Sequence, residues 1–334
     1  MPLYMDFHII PDVTIEDVKN AHMADEEVQH KYGVKYHQFW VNEEAGTVFC
    51  LMEGPDKEAC TATHQEAHGN VACKIEEVEP GLYNLFLGEK KQIDHGLVRH
   101  KDGAIDVGYR YVLVVDIVGN TRIKTSRDYT ELRLPTKAKN FVYQQIKEYQ
   151  GKEIKLKGVD SLVAVFTTPM EALECALSIH NKLVEKKEAT NDLEWDVSFK
   201  MGLSGGQPLT KSDGFFEKTI KQARRLSLIA KKGEILISSF VEQMRDLKNL
   251  IKKNPNINWI MVSDENFIDS LFTITENSID KDDFSVNYLS RDLGISLPQL
   301  YRKIISITGK SPKTFIRDIR MRKAFFLIKE KRYN

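Results

Sequence analysis

Residues 3–53, LYMDFHIIPDVTIEDVKNAHMADEEVQHKYGVKYHQFWVNEEAGTVFCLME, decide the first fold in this chain. Residues 3–10 read as a strand. Residues 13–32 read as a helix, with Thr14 as its cap and Glu16 and Asp17 in the first turn. Residues 34–41 and 47–52 read as two strands joined at Asn42-Glu43-Glu44-Ala45-Gly46, a hairpin. Working outward, residues 55–67 read as a second helix and 72–78 as a closing strand. The order βαββαβ is that of a ferredoxin-like unit, and residues 1–88 are expected to form one domain.

This segment concentrates histidine. Six of the nine lie in the first 68 residues: His8, His22, His30, His37, His64 and His68. Strand side chains alternate between faces, so Asp6 and His8 share one face of the first strand. His64 and His68 stand one helical turn apart, as do His22 and Glu26. Imidazoles with carboxylates suit nickel, zinc, copper or iron. Cys50, Cys60 and Cys73 read as core residues rather than ligands.

Residues 2–79 resemble a small family of nickel-binding ferredoxin-like proteins that pair as α+β barrels. The resemblance is carried by Tyr4-Met5-Asp6-Phe7-His8, Ala21-His22-Met23-Ala24-Asp25, Trp40, Gly46-Thr47-Val48-Phe49-Cys50-Leu51, Glu53-Gly54-Pro55 and His64. It implies a metal-binding cavity near Asp6, His8, His22 and His64, with nickel as the first candidate.

Beyond residues 80–108, which read as a connector with some strand, residues 110–118 form an apolar run, RYVLVVDIV, that reads as a buried strand with a carboxylate near its end. A helix at about 135–150, strands at 154–156 and 162–166, a helix at 170–186, a strand at 195–202, a helix at 217–230 and a strand at 234–238 follow. This is a helix-covered sheet, an α/β module over 108–262. The run Val112-Leu113-Val114-Val115-Asp116 and the hairpin Lys157-Gly158-Val159-Asp160-Ser161 resemble the metal-binding strand and hairpin of class III nucleotide cyclases. Met201-Gly202-Leu203, Ala223-Arg224-Arg225-Leu226 and Gly233-Glu234-Ile235 continue the likeness in order. The resemblance implies that Asp116 and Asp160 hold Mg²⁺ or Mn²⁺ with ATP or GTP, and that Arg225 stabilises the transition state from a partner chain. The chain departs from that pattern: Lys221 stands where the family has a ribose-orienting asparagine, and Glu217 and Val159 stand where it has glycines. Leu156 replaces a base-reading lysine. Three readings remain: a degenerate fold kept for dimerisation, nucleotide binding without turnover, and an active adenylate or guanylate cyclase.

The last fifty residues carry the third signal. Two apolar-periodic runs, 286–293 and 297–307, flank Gly294-Ile295-Ser296. A helix closed by Gly and a second opened by a Ser cap is the layout of a helix-turn-helix. Gln299, Arg302 and Lys303 lie opposite Leu300, Ile304 and Ile307, as a recognition helix requires. Residues 263–334 resemble an AraC-type DNA-binding domain through Leu293-Gly294-Ile295-Ser296, Leu300-Tyr301-Arg302-Lys303, Thr308-Gly309-Lys310-Ser311-Pro312 and Ile319-Arg320-Met321. The resemblance implies an all-α module whose duplex contacts come from Ser296, Gln299, Arg302 and Lys303. It also leads to the expectation of a second such unit beyond Asn334.

Charge divides along the chain although the total is zero. Residues 281–334 hold thirteen Lys/Arg against five Asp/Glu, and residues 1–89 hold five against seventeen. A basic end beside an acidic one fits binding of double-stranded DNA by the C-terminus. Four cysteines without CxxC argue for a reducing compartment. No apolar stretch reaches the roughly eighteen residues of a membrane span. A cytoplasmic multidomain α+β protein, homodimeric and without a membrane partner, is expected. Its role is read as a transcriptional regulator that senses a transition metal; the alternatives are an active cyclase with an appended DNA-binding segment, or a metal-storage protein.

Overall fold

The first strand, β1 (Leu3–Ile9), leads into α1 (Ile15–Val28), whose start is fixed by side chains. Thr14 Oγ1 accepts the Asp17 N–H at 3.2 Å, and Asp17 Oδ2 accepts the Thr14 N–H at 3.0 Å, so two helix-end donors are satisfied reciprocally. The helix ends at Val28, short of the expected Tyr32, because a 3₁₀ turn, Gln29–Lys31, takes over. Next come β2 (Lys35–Asn42), β3 (Thr47–Glu53), α2 (Lys57–Ala67) and β4 (Lys74–Glu77). Asp56 opens α2 by accepting the Ala59 N–H at 2.8 Å.

The order β4-β1-β3-β2, antiparallel throughout, is the split βαβ arrangement that the element order predicts. The connector holds a helix that was not expected, α3 (Pro80–Phe86), and, as the strand expected there, β5 (Gln92–Asp94) and β6 (Leu97–Arg99). β6 runs parallel to β2, pairing Phe39 with Leu97, and the first sheet becomes β4-β1-β3-β2-β6-β5. Phe39, Trp40, Phe49 and Met52 are fully buried. Each such side chain contributes about 1.5–3 kcal/mol relative to exposure.

The second sheet is built from β7 (Arg110–Gly119), β8 (Lys152–Ile154), β9 (Leu162–Phe166), β10 (Val197–Gly206), β11 (Ile235–Ile237) and β12 (Ile257–Trp259), in the order β12-β11-β10-β7-β9-β8. Its helices are α4 (Thr136–Glu148), α5 (Pro169–Ala189), α6 (Glu217–Ile229), α7 (Ser239–Glu242) and α8 (Lys248–Lys253). The elements between 239 and 259 have no counterpart among the sequence expectations; they are too short to carry a helical or strand period. The chain then runs through α9 (Val262–Ser278), α10 (Val286–Asp292), α11 (Leu297–Thr308) and α12 (Pro312–Lys329).

This computed structural model describes residues 1–88, 92–100, 102–119, 136–155, 161–189, 192 and 195–329. The chain divides into two compact units. One holds residues 1–111, 165–168 and 205–220; the other holds 112–164, 169–204 and 221–334. Among the described residues, the four C-terminal helices share their core with the preceding elements. Phe272, Leu289, Leu300, Ile304 and Phe315 share one cluster with Leu226 and Ile229 of α6 and Leu236 of β11. An independent all-α module, as expected from the sequence, is therefore not what is seen. Short helices bury too little apolar surface among themselves and complete their core on a neighbouring element. No described helix is long and apolar enough to cross a membrane.

Candidate functional sites

In the first unit, β1, α1 and the end of α2 bring His8, Asp25, His64 and His68 to the wall of a cleft of about 320 Å³, with Asp6 of β1 behind them. Asp6 comes from β1 and is fully buried. One carboxylate oxygen accepts the Cys50 N–H of β3 at 2.7 Å, which fixes the rotamer. The other lies 2.6 Å from His64 Nε2 and 3.2 Å from His8 Nε2. On the far side of the same ring, His64 Nδ1 lies 3.2 Å from Asp25 Oδ1 and 3.2 Å from His68 Nε2. His68 Nε2 in turn lies 3.3 Å from Asp25 Oδ2. Two donor sets result, Asp6–His8–His64 and Asp25–His64–His68, with the ligand atoms of each within 4.8 Å of one another.

The electrostatics follow from burial against pairing. Burial alone would lower the pKa of His64, but hydrogen bonds to Asp25 and Asp6 override it and raise it to about 10. Burial alone would raise the Asp6 carboxyl; the charge of His8 and the hydrogen bonds from His64 and His8 hold it well below the usual carboxylate range. Asp25 is lowered in the same way, with His64 and His68 outweighing burial.

Of the residues expected at the site, Asp6, His8 and His64 come together and His22 does not join either donor set. His22 lines the same cleft at 3% exposure. Neither of its ring nitrogens has a hydrogen-bond partner, and the Glu26 carboxylate stays 3.7 Å away. Desolvation lowers its pKa, so the ring is held neutral. Gly96 makes room for it: a Cβ there would fall 2.5 Å from the imidazole, at a backbone φ of +81°. The sequence did not single out Asp25 as a ligand candidate. It stands three residues after His22, one helical turn on. His68 was visible as the turn partner of His64.

The cysteines divide. Cys50 and Cys60 are buried, with burial pushing the Cys50 thiol well up and the Cys60 thiol up to about 12, so neither offers a ready thiolate. Cys73, expected in the core, is exposed, because it lies just ahead of the short strand β4.

In the second unit, Asp116 sits near the end of β7 at 7% exposure. Ser161 Oγ donates to its Oδ1, and Arg322 Nη1 of α12 lies 3.3 Å from its Oδ2. Asp160, with Leu156 and Val159, lies outside the described residues. Arg225 is not presented to a partner chain. It is 8% exposed and bonds within its own chain to Asp269 at 2.8 Å, Thr273 at 3.2 Å and Glu276 at 3.4 Å. Its side of α6 packs on α9.

The turn between α10 and α11 has Gly294 at φ +65°, a left-handed conformation that glycine adopts without strain. Ser285 caps α10 by accepting the Tyr288 N–H at 3.3 Å. At the start of α11, Gln299 Oε1 accepts both the N–H and the hydroxyl of Ser296 at 3.0 Å. Lys303 turns back toward α9, 3.5 Å from Asp264 and 4.7 Å from the centre of the Phe267 ring. Ser296, Gln299 and Lys303 thus have partners within the fold. Arg302 stays exposed, beside Leu297, Tyr301 and Ile305, which are 39%, 39% and 47% exposed.

Residues 4–78 match the family described as nickel responsive protein SCO4226-like, which agrees with the likeness expected for residues 2–79. Among solved structures the chain is similar to SCO4226 from Streptomyces coelicolor A3(2), at 36% identity over 23% of this chain and 94% of that one, with a TM-score of 0.22. It is also similar to an adenylate/guanylate cyclase/hydrolase from Silicibacter pomeroyi, at 24% identity over 41% and 79% of the two chains and a TM-score of 0.33. The adenylyl cyclase CyaB from P. aeruginosa shows 18% identity over 43% and 82%, with a TM-score of 0.32. Scores this low give the cyclase likeness no weight in assigning chemistry. No curated protein matches the chain.

Proposed function

We propose that the N-terminal unit binds a divalent transition metal, nickel first, and that the chain is a metal-responsive DNA-binding regulator. One observation carries the metal: Asp6, His8 and His64 are buried and their donor atoms lie within 4.8 Å of one another. A carboxylate with imidazoles is a donor set for nickel, zinc, copper or iron. Asp6, His8 and His64 would hold the ion, with Asp25 and His68 as the neighbouring set. The orphaned nitrogens of His22 support the same reading, since a buried imidazole without partners costs stability unless something binds it. The family matched by residues 4–78 is described as nickel responsive, which favours nickel over the others. Calorimetric titration of the metal-free chain with Ni²⁺, Zn²⁺ and Cu²⁺ tests this. Binding abolished in Asp6→Asn and His64→Ala supports it; no heat and no shift in melting with any of the three ends it.

The output reading rests on the Gly294 turn, the two capped helices and the basic C-terminus. The middle segment is read as a core without turnover that keeps Asp116 as a site for a divalent cation. The engagement of Arg225 by Asp269 and Glu276 favours that over an active cyclase. Gel-shift selection from random duplexes, at about 50 mM salt where phosphate contacts are strongest, tests the DNA reading.

A further inference from the structure

His64 meets the same pair of side-chain types at each of its two ring nitrogens. Nε2 faces the Asp6 carboxylate, which also holds the His8 imidazole. Nδ1 faces the Asp25 carboxylate and the His68 imidazole. The Nδ1 side is the more regular. His64 Nδ1 to Asp25 Oδ1, His64 Nδ1 to His68 Nε2 and His68 Nε2 to Asp25 Oδ2 measure 3.2, 3.2 and 3.3 Å. Donors bound to one ion at about 2.0–2.2 Å stand roughly 3–3.5 Å apart, so this group is already at ligand spacing. A carboxylate that only oriented His64 would need one oxygen and no further ring. Here His68 closes the group and engages the other oxygen of Asp25. His8, Asp25, His64 and His68 line one cleft, so both sides of the ring share an entry path.

We propose that the His64 ring bridges two divalent transition-metal ions, one held with Asp6 and His8 and the other with Asp25 and His68. This rests on the reading of the N-terminal unit as a metal site, and adds to it a second ion and a bridge. The ring releases both N–H protons to solvent and becomes an imidazolate, with a lone pair for each ion. Charge then comes near balance in a buried place: two carboxylates and the imidazolate set three negative charges against four positive ones. With a neutral ring between the ions, only two would stand against four. His68 Nδ1 accepts the Asn70 N–H at 3.1 Å, so in the metal-free chain the His68 proton sits on Nε2 and faces Asp25. Ligation through Nε2 moves that proton to Nδ1 and gives up one contact to exposed backbone.

The test loads the full chain with Cu²⁺ and follows bound metal together with the frozen-solution electron paramagnetic resonance signal. Two Cu²⁺ ions joined by one imidazolate couple their spins antiferromagnetically. The signal should therefore grow to one ion per chain and fall as the second enters. Copper on His22, His30 or His37, outside both donor sets, keeps an ordinary signal and cannot mimic that fall. His68→Ala leaves Asp6, His8 and His64 in place; it should bind one ion fewer and keep the full signal of the ion that remains. If that variant does not fold, the native titration still decides. A signal that keeps pace with bound copper throughout overturns the bridge and leaves the metal site standing. A fall that survives in His68→Ala overturns the second donor set. No bound copper overturns both the bridge and the metal reading beneath it.

Discussion

Asp6 meets His64 at 2.6 Å, a carboxylate on one nitrogen of a ring whose other nitrogen already faces Asp25. One imidazole is thus held between two buried acids from different elements. The ring is the keystone of the cluster, and its removal has two separable effects. Metal affinity falls because a ligand is gone. The metal-free fold also weakens, because Asp6 and Asp25 lose the ring between them and keep only His8 and His68 as imidazole partners, at a cost of up to about 3–5 kcal/mol. His64→Ala should therefore melt lower than the native chain even with chelator present. His22→Ala should fall less, since its ring gives up packing against Tyr36 and Phe39 but no hydrogen bond and no partner of a buried acid. Differential scanning calorimetry of both variants with and without Ni²⁺ checks this.

Metal uptake should depend on pH in a definite sense. The His64 pKa is raised to about 10, so near neutrality the empty site carries a proton that the metal must displace. Affinity for Ni²⁺ should rise by about tenfold per pH unit from this proton alone, up to about pH 10. For the metal-free fold the sign is opposite. A raised folded-state pKa contributes stability that is fully present below about 6.5 and is lost as pH climbs through about 10. Calorimetry at three pH values in buffers of different ionisation heat counts the protons released.

Lys200 gives a second pH effect, in the other unit. It is 8% exposed and donates to the Leu228 carbonyl at 2.6 Å, near the end of α6. Desolvation lowers its pKa to about 8. The unfolded chain then binds more protons between about pH 8 and 10.5, so stability should rise with pH across that window, by roughly 2–3 kcal/mol. His64 acts in the opposite sense over the same range, so the effect is read as a difference: in urea unfolding at pH 7.5 and 10 the native chain should gain stability relative to Lys200→Met.

On α11 the variants should separate fold from recognition. Gln299→Ala removes a cap and should cost about 1 kcal/mol of stability, with little change in sequence preference. Arg302→Ala should leave stability alone and reduce discrimination by about 1–3 kcal/mol for each base-edge hydrogen-bond pair removed. Binding isotherms on a selected duplex and a scrambled one, paired with melting curves, distinguish the two. An equal drop in preference for both variants would return Gln299 to the bases.

Much of the first unit was legible in residue order. Thr14 and Asp56 mark helix starts by their own chemistry, and the alternation of Asp6 with His8 places both on one face of β1. What escaped was tertiary. Nothing local separates His22, alone in its cleft, from His68, which closes on Asp25, since that choice is made by the approach of α1 to α2. The same limit holds at Lys303, which helical spacing puts on the polar face and which only Asp264 of α9 shows to be engaged. Gln299 is engaged locally, three residues after the Ser296 that opens α11. β5 and β6 could be expected only as some strand within the connector, because three-residue strands carry no period that would place them.

Those two short strands alter how the first sheet meets other molecules. β2 would otherwise leave a row of backbone donors and acceptors open, a template for strand addition by a neighbour. Phe39 donates its N–H to the Gly96 carbonyl at 2.7 Å, and β6 lies along that margin with β5 outside it. A second chain seeking to extend the sheet beside β2 must first peel away a hairpin belonging to the same polypeptide. The new rim is only three residues long, from Gln92 to Asp94, and Asp94 is tied to Lys19 and Arg99. Runaway stacking is discouraged at this border by brevity and charge.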